Sequence, residues 1–276
     1  MATVVEAAAL TEAHRAEQAT RAAFVAAAGL KLWNRTVKPE QLERTVAVWM
    51  KLMLALIQRE HDKSYSLTKA YYPAFRRLEL PNGPKFVIPA PGKIDVEQVT
   101  TSLRVTGPIA LQKKLVEVKH LEMSPELEKA FVDDAMESAA KTSAASAVRH
   151  SLAGGRDLMR DVAGSDKAAL GWARVTQDNP CYFCAMLASR GFVYGADAFE
   201  DSDALFTGGG RAKVHDGCQC TMEPTFKRGS KMPGRGEDFE QLWAEVTAKY
   251  GVGGKQAIKA FRAAIEDRPY IRPRRR

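Results

Sequence analysis

Asn179-Pro-Cys-Tyr-Phe-Cys184 and Val214-His-Asp-Gly-Cys-Gln-Cys220 hold every cysteine of the chain. A CxxC turn presents two sulfurs to one ion at low backbone cost, and zinc takes four thiolate or imidazole ligands in a tetrahedron. In the second stretch Cys218 and Cys220 point to one side if extended, and His215 is within reach across Asp216-Gly217. Five candidates, Cys181, Cys184, His215, Cys218 and Cys220, therefore compete for four places. The four cysteines form the simplest set; Cys181, Cys184 and His215 with one of Cys218 or Cys220 form the rival. Disulfides are the alternative, and they need an oxidising setting such as a particle outside its host cell. A redox role lacks the thioredoxin-like βαβ pattern around the CxxC. A catalytic zinc would need an open coordination position and a nearby general base, yet no HExxH is present and no HxE follows from His215. The expectation is a structural metal knuckle, with zinc as the ion.

Around this knuckle the strand-like Trp172-Ala-Arg-Val and the polar turn Gln177-Asp-Asn-Pro180 come before it. Gly208-Gly-Gly210 lacks a following Lys-Ser/Thr, so it reads as a connector and not a P-loop. A last helix is expected over about 238–265, interrupted near Gly251 to Gly254. Upstream the chain reads as helical. An alanine-rich helix covers about 5–33, although Leu10, His14, Ala19, Ala23 and Val25 make no clean apolar stripe. Pro39 and Glu40 start a second helix, in which Leu42, Val46, Trp49, Met53 and Leu56 recur at helical spacing. It continues through Tyr65, Tyr71, Tyr72 and Phe75, with Pro73 as a kink or an end. Leu80-Pro-Asn-Gly-Pro84 and Pro89-Ala-Pro91 are breakers, with Phe86-Val-Ile between them as a short extended segment. Residues 96–105 fit strand and helix equally. Ser124-Pro125 caps and opens a further helix that runs towards Leu152; Gly154-Gly155 marks its end, and a short helix follows over 156–163.

The expected fold is α+β and predominantly helical: a helical region over 1–155, a small α+β module with the Cys/His knuckle over 156–267, and a basic tail over 268–276. Of 276 residues 45% are apolar and 27% charged, the balance of a globular protein. Lys and Arg number 41 against 33 acidic residues, a formal charge of +8 that favours a polyanionic neighbour. Arg272, Arg274, Arg275 and Arg276 are the candidate phosphate contacts, supported by Lys227-Arg-Gly-Ser-Lys231 and Arg235, with a solvated terminus as the plain alternative. Arg76-Arg77 and Lys113-Lys114 read as ordinary surface charge. No secretory leader and no membrane span is read, so a protein made and kept in a cytoplasm is expected. Ser189, Ser151 beside His150, and His120 are loose protease candidates, since adjacency in sequence does not create triad geometry.

Trp172-Ala-Arg, Asn179-Pro-Cys-Tyr-Phe-Cys-Ala-Met-Leu-Ala-Ser-Arg-Gly-Phe-Val-Tyr194 and Val214-His-Asp-Gly-Cys-Gln-Cys-Thr-Met-Glu-Pro224 together resemble the Mu F-like minor head proteins of bacteriophages. The pattern PCxFCxxLxSRG…HxxCxCxxxP carries the resemblance over about 170–224, and Cys181, Cys184, His215, Cys218 and Cys220 match it by position. The resemblance implies a few-copy, non-enzymatic component of the virion head interior, present in the host cytoplasm during assembly. Its implied partners are the portal protein, major capsid or scaffold protein, and packaged double-stranded DNA. Related proteins are often named capsid maturation proteases, which makes a protease the second reading; a stand-alone nucleic-acid-binding module is the third.

Overall fold

The structure is a computed structural model that describes residues 2–120, 122–194, 215–267 and 269. Two long helices dominate it. Helix α1 (Ala2–Thr36) and helix α2 (Leu42–Glu79) are joined by a 3-10 turn at Pro39–Gln41. They run antiparallel, because Thr11 meets Tyr71, His14 meets Thr68 and Gln18 meets Ser64. Helix α2 passes through Pro73 without ending. Of its apolar stripe Trp49, Met53 and Leu56 are buried and Leu42 and Val46 half-buried, and the Trp49 indole meets Trp33 of α1 edge to face at 5.1 Å.

Residues 80–95 form no strand, and the extended segment expected at 86–88 is coil, with Phe86 packed edge to face on Tyr72. Residues 96–105 resolve as helix: α3 (Val96–Arg104) begins at Asp95, whose side chain accepts a bond from the Gln98 amide at 2.9 Å. A π turn at Val105–Ile109 carries α3 into α4 (Ala110–Lys119). Pro108 lies in that turn, where the widened backbone accommodates its missing donor. Helix α5 (Pro125–Ser151) starts at Ser124 as expected and lays a row of alanines against α1, with Ala144 facing Gly29.

Gly154-Gly155 is not a helix end. Both residues lie inside α6 (Ala153–Ser165), where they let α6 press onto α2. A Cβ on Gly154 would sit 2.2 Å from the His61 carbonyl oxygen, and one on Gly155 would sit 2.6 Å from the Thr68 hydroxyl. Alanine is the better helix former by about 1 kcal/mol, but a methyl against a backbone oxygen costs about 1–3 kcal/mol or more, because the helix it strikes cannot rotate away. Gly154→Ala is therefore expected to lower the denaturant midpoint. A midpoint that rises would show the two helices to be further apart than described.

The expected strand is β1 (Gly171–Val175), antiparallel to β2 (Thr221–Thr225) with Arg174 opposite Met222. Between them α7 (Tyr182–Ala188) follows the CxxC start. The last helical stretch is two helices, α8 (Gly236–Tyr250) and α9 (Gly254–Ile265), divided where Gly251 takes a left-handed φ of 54°. The result is an α+β fold, 70% helical, with one two-stranded sheet among the described residues.

One core gathers Trp33, Trp49, Met53, Leu103, Leu111 and Val148. The other gathers Tyr72, Trp172, Met222, Phe239 and Phe261, and also takes in Ala7, Tyr71 and Phe75. The α1–α2 hairpin thus contributes to both cores, and α1 also packs against β2, while α7 is held between β1 and the last two helices, α8 and α9. Arg76, read from sequence as surface charge, is buried: it pairs with Asp166 at 2.6 Å and its guanidinium lies over Phe86 and Phe226. Among the described residues no helix is long and apolar enough to cross a membrane.

Candidate metal centre

Cys181 is the residue that caps α7. Its backbone is extended (φ −65°, ψ 158°) and its sulfur accepts the Cys184 amide at 3.4 Å. One turn of helix then places Cys184 beside it. The second half of the site is held from another direction. Gly217 takes φ +75°, a conformation that favours glycine, and its amide donates to the Ala145 carbonyl of α5 at 2.9 Å. Asp216 pairs with Arg149 at 2.8 Å. From α6, Arg156 donates to the carbonyls of Cys218 at 2.6 Å and Cys220 at 3.4 Å. The 215–220 segment is thereby fixed to α5 and α6 just before it enters β2.

These supports bring together all five residues proposed from sequence. His215 Nε2 lies 3.0 Å from Cys181 Sγ and 3.5 Å from Cys184 Sγ. Cys184 Sγ lies 3.7 Å from Cys218 Sγ and 3.2 Å from Cys220 Sγ. Cys218 and Cys220 approach each other to 2.7 Å. Two trios of metal-ligand atoms result, Cys181/Cys184/His215 and Cys184/Cys218/Cys220, and Cys184 belongs to both. A zinc–sulfur bond of about 2.3 Å implies a tetrahedral sulfur–sulfur edge of about 3.8 Å. The Cys184–Cys218 distance matches that edge, whereas Cys218 and Cys220 are closer than it. The four cysteines are free thiols, three buried and Cys181 half-buried.

Charge explains why such a cluster calls for a cation. Thiolates this close repel, so protons must be shared unevenly among them. A hydrogen bond from Cys184 draws Cys181 down to about 4, with burial opposing and His215 assisting. The same contact, joined by those to Cys218 and Cys220, pushes Cys184 well above the usual thiol range. Bonding to Cys181 raises His215. A bound divalent ion removes this competition, because every ligand sulfur can then be a thiolate. His215 is already oriented for it: Nδ1 lies 2.8 Å from the Asp216 carbonyl, which sets Nδ1 as donor and leaves Nε2 free to bind.

Sequence reasoning missed three arginines that hold the site. Arg149 and Arg156 anchor the loop, and Arg174 in β1 donates from Nη1 to Cys220 Sγ at 3.2 Å. The available signal for Arg174 was an arginine inside a strand that otherwise reads as core. The protease candidates are not assembled: Ser189 Oγ donates to the Met186 carbonyl, buried Ser151 Oγ has no partner, and His150, lowered to about 4 by burial, lies against Arg149. His120 is exposed. Of the supporting basic residues, Lys227 pairs with Glu79, Lys231 with Glu237 and Arg235 with Asp238. Arg272, Arg274, Arg275 and Arg276, like Gly208 to Gly210, lie outside the described residues.

No curated protein and no solved structure matches the chain. The family model described as VG15 protein matches residues 4–246, which takes in both long helices, the sheet and the whole Cys/His cluster. The chain belongs to the VG15 protein family, a family of viral proteins.

Proposed function

We propose that this chain is a bacteriophage minor capsid protein of the Mu F-like head-morphogenesis type, associated with the portal and acting in procapsid assembly and DNA packaging or ejection. The observation that carries the reading is the gathering of the five motif residues into two donor trios that share Cys184, in a chain of a viral family. In this reading the ion is zinc and its role is structural. Sulfur and imidazole donors suit zinc, and the mixed Cys/His set matches the structural zinc sites such donors build. Five candidate donors for four places leave no open position for a reacting water. The clamp joins α7 to a loop seated on α5 and α6, so it rigidifies one end of the molecule. A rigid platform of this kind suits a protein that must keep its shape while a head is built around it.

The proposed location is the head interior, with the portal protein as main partner, capsid or scaffold protein as a further contact, and packaged DNA held without sequence preference. Co-expression with portal and major capsid protein tests this. The expected result is a chain that co-purifies with portal rings and leaves capsid protein uncut. Trimmed capsid protein that stays whole when Ser189 or Ser151 is changed to alanine would instead favour the protease reading. Removing residues 268–276 is expected to weaken DNA binding and to flatten its salt dependence by up to about 4 log units of affinity per log unit of salt, at about 0.9 per arginine–phosphate contact for Arg272, Arg274, Arg275 and Arg276. Portal association should survive that truncation. DNA binding with an unchanged salt slope would move the contacts away from the tail.

A further inference from the structure

We propose that Arg174 is a positioning residue of the metal centre, whose buried guanidinium holds Cys220 as an obligatory thiolate donor to the ion. The proposal rests on the structural-metal reading above. Arg174 sits in β1, is only 4% exposed, and donates from Nη1 to Cys220 Sγ at 3.2 Å. Its Nε is buried without a hydrogen-bond partner, and no carboxylate pairs with it among the described residues. A guanidinium keeps its proton in a protein, so burying one requires a counter-charge close by. The sulfur cluster supplies it, and Cys220 is the sulfur in contact.

Spacing alone favours Cys218, whose sulfur stands 3.7 Å from Cys184 Sγ against 3.2 Å for Cys220, but the buried charge of Arg174 selects Cys220. Cys218 and Cys220 stand 2.7 Å apart, closer than the roughly 3.8 Å edge of a tetrahedral zinc–thiolate site. One of the pair must yield unless both move apart. Among the described residues the hydrogen-bond partners of Cys218 Sγ are the sulfurs of Cys184 and Cys220, whereas Cys220 Sγ also accepts from Arg174. A divalent ion with three thiolates and one imidazole leaves a net charge of −1, and with four thiolates −2; Arg174 offsets all of the first and half of the second. Whichever donor completes the set, Cys220 belongs to it.

The test uses the full chain, with zinc affinity read by chelator competition and donor identity by the sulfur-to-metal charge-transfer band of the cobalt(II)-loaded protein. Arg174→Met should weaken zinc binding by about 10–100-fold and diminish that band, and Arg174→Lys should restore part of both. Cys220→Ser should lose more affinity than Cys218→Ser, and adding Arg174→Met to Cys220→Ser should cost little more. Wild-type affinity and an unaltered cobalt spectrum in a folded Arg174→Met chain would overturn the proposal. So would a greater loss from Cys218→Ser than from Cys220→Ser, a comparison that stands even if Arg174→Met does not fold. A wild-type chain that binds neither zinc nor cobalt would instead remove the structural-metal reading beneath it.

Discussion

Stripping the metal from the purified chain is expected to lower its thermal midpoint by roughly 10 °C, with recovery on adding zinc back. Two independent routes give this size. A bound ion would tie Cys184 to His215, 31 positions along the chain. Closing a loop of that length removes unfolded-state entropy worth about 3–4 kcal/mol by the relation used for cross-links. Mass action gives about 4 kcal/mol when the free ion stands at about a thousand times its dissociation constant. For a chain of this size each kcal/mol moves the midpoint by about 2–4 °C. Cys184→Ser is the genetic counterpart with the largest effect, because Cys184 alone belongs to both trios. The loss should centre on α7, the 215–220 loop and the sheet, while the Trp33–Trp49 core persists. Hydrogen exchange would locate it there. A sample shown to carry one ion per chain, yet melting at the same temperature after chelation, would exclude a structural metal.

The five donors were legible because cysteine and histidine are rare, chemically specific and closely spaced. Helix α2 was legible because large apolar residues recur on one face. Helix α1 shows why the rest was harder. Its buried face is Ala7, Thr11, His14, Gln18, Ala22, Val25, Gly29 and Trp33, a regular helical stripe made mostly of small and polar side chains. Such a stripe has no apolar contrast to read, and its logic lies in partners on α2: Tyr71 for Thr11, Thr68 for His14, Ser64 for Gln18. Helix α3 carried a readable signal that apolar periodicity overlooks, Asp95 followed three residues later by Gln98. Gly154-Gly155 carried an ambiguous one, since paired glycines serve equally as a helix stop and as a close contact between helices. Arg76, Arg156 and Arg174 were misjudged or passed over for a common reason. Arginine is exposed by default, and only the folded chain shows which arginines have an acceptor waiting inside, a carboxylate for Arg76, carbonyls for Arg156 and a sulfur for Arg174.

The strongest such case outside the metal centre is Asp166, whose replacement by alanine is expected to cost about 3–5 kcal/mol. Asp166 Oδ2 accepts from Arg76 Nε at 2.6 Å and from the Tyr72 hydroxyl at 2.5 Å, while Oδ1 accepts the Ala168 amide at 3.0 Å. It joins the end of α6 to α2 beneath Phe86 and Phe226. Alanine leaves the Arg76 charge buried and unpaired, and that loss dominates the lost bonds. Replacing both partners by apolar residues, Arg76→Met with Asp166→Leu, should therefore recover most of the stability, since a buried pair gains little over a well-packed apolar one. Burial alone would raise the Asp166 carboxyl, but Arg76, Tyr72 and the Ala168 amide outweigh it and hold the group below its usual 3.8. A folded pKa below the unfolded one stabilises above pH 3.8, and that contribution is lost as pH falls through the folded value. Glu223 acts in a different window with the opposite sign: burial pushes it up to about 7, so its contribution falls as pH rises from 4.5 towards 7. Urea unfolding between pH 2 and 8 should show the acid limb flattened by Asp166→Ala and the region above pH 4.5 unchanged in shape. An acid limb as steep in the variant as in the parent would mean that carboxylates elsewhere set the low-pH stability.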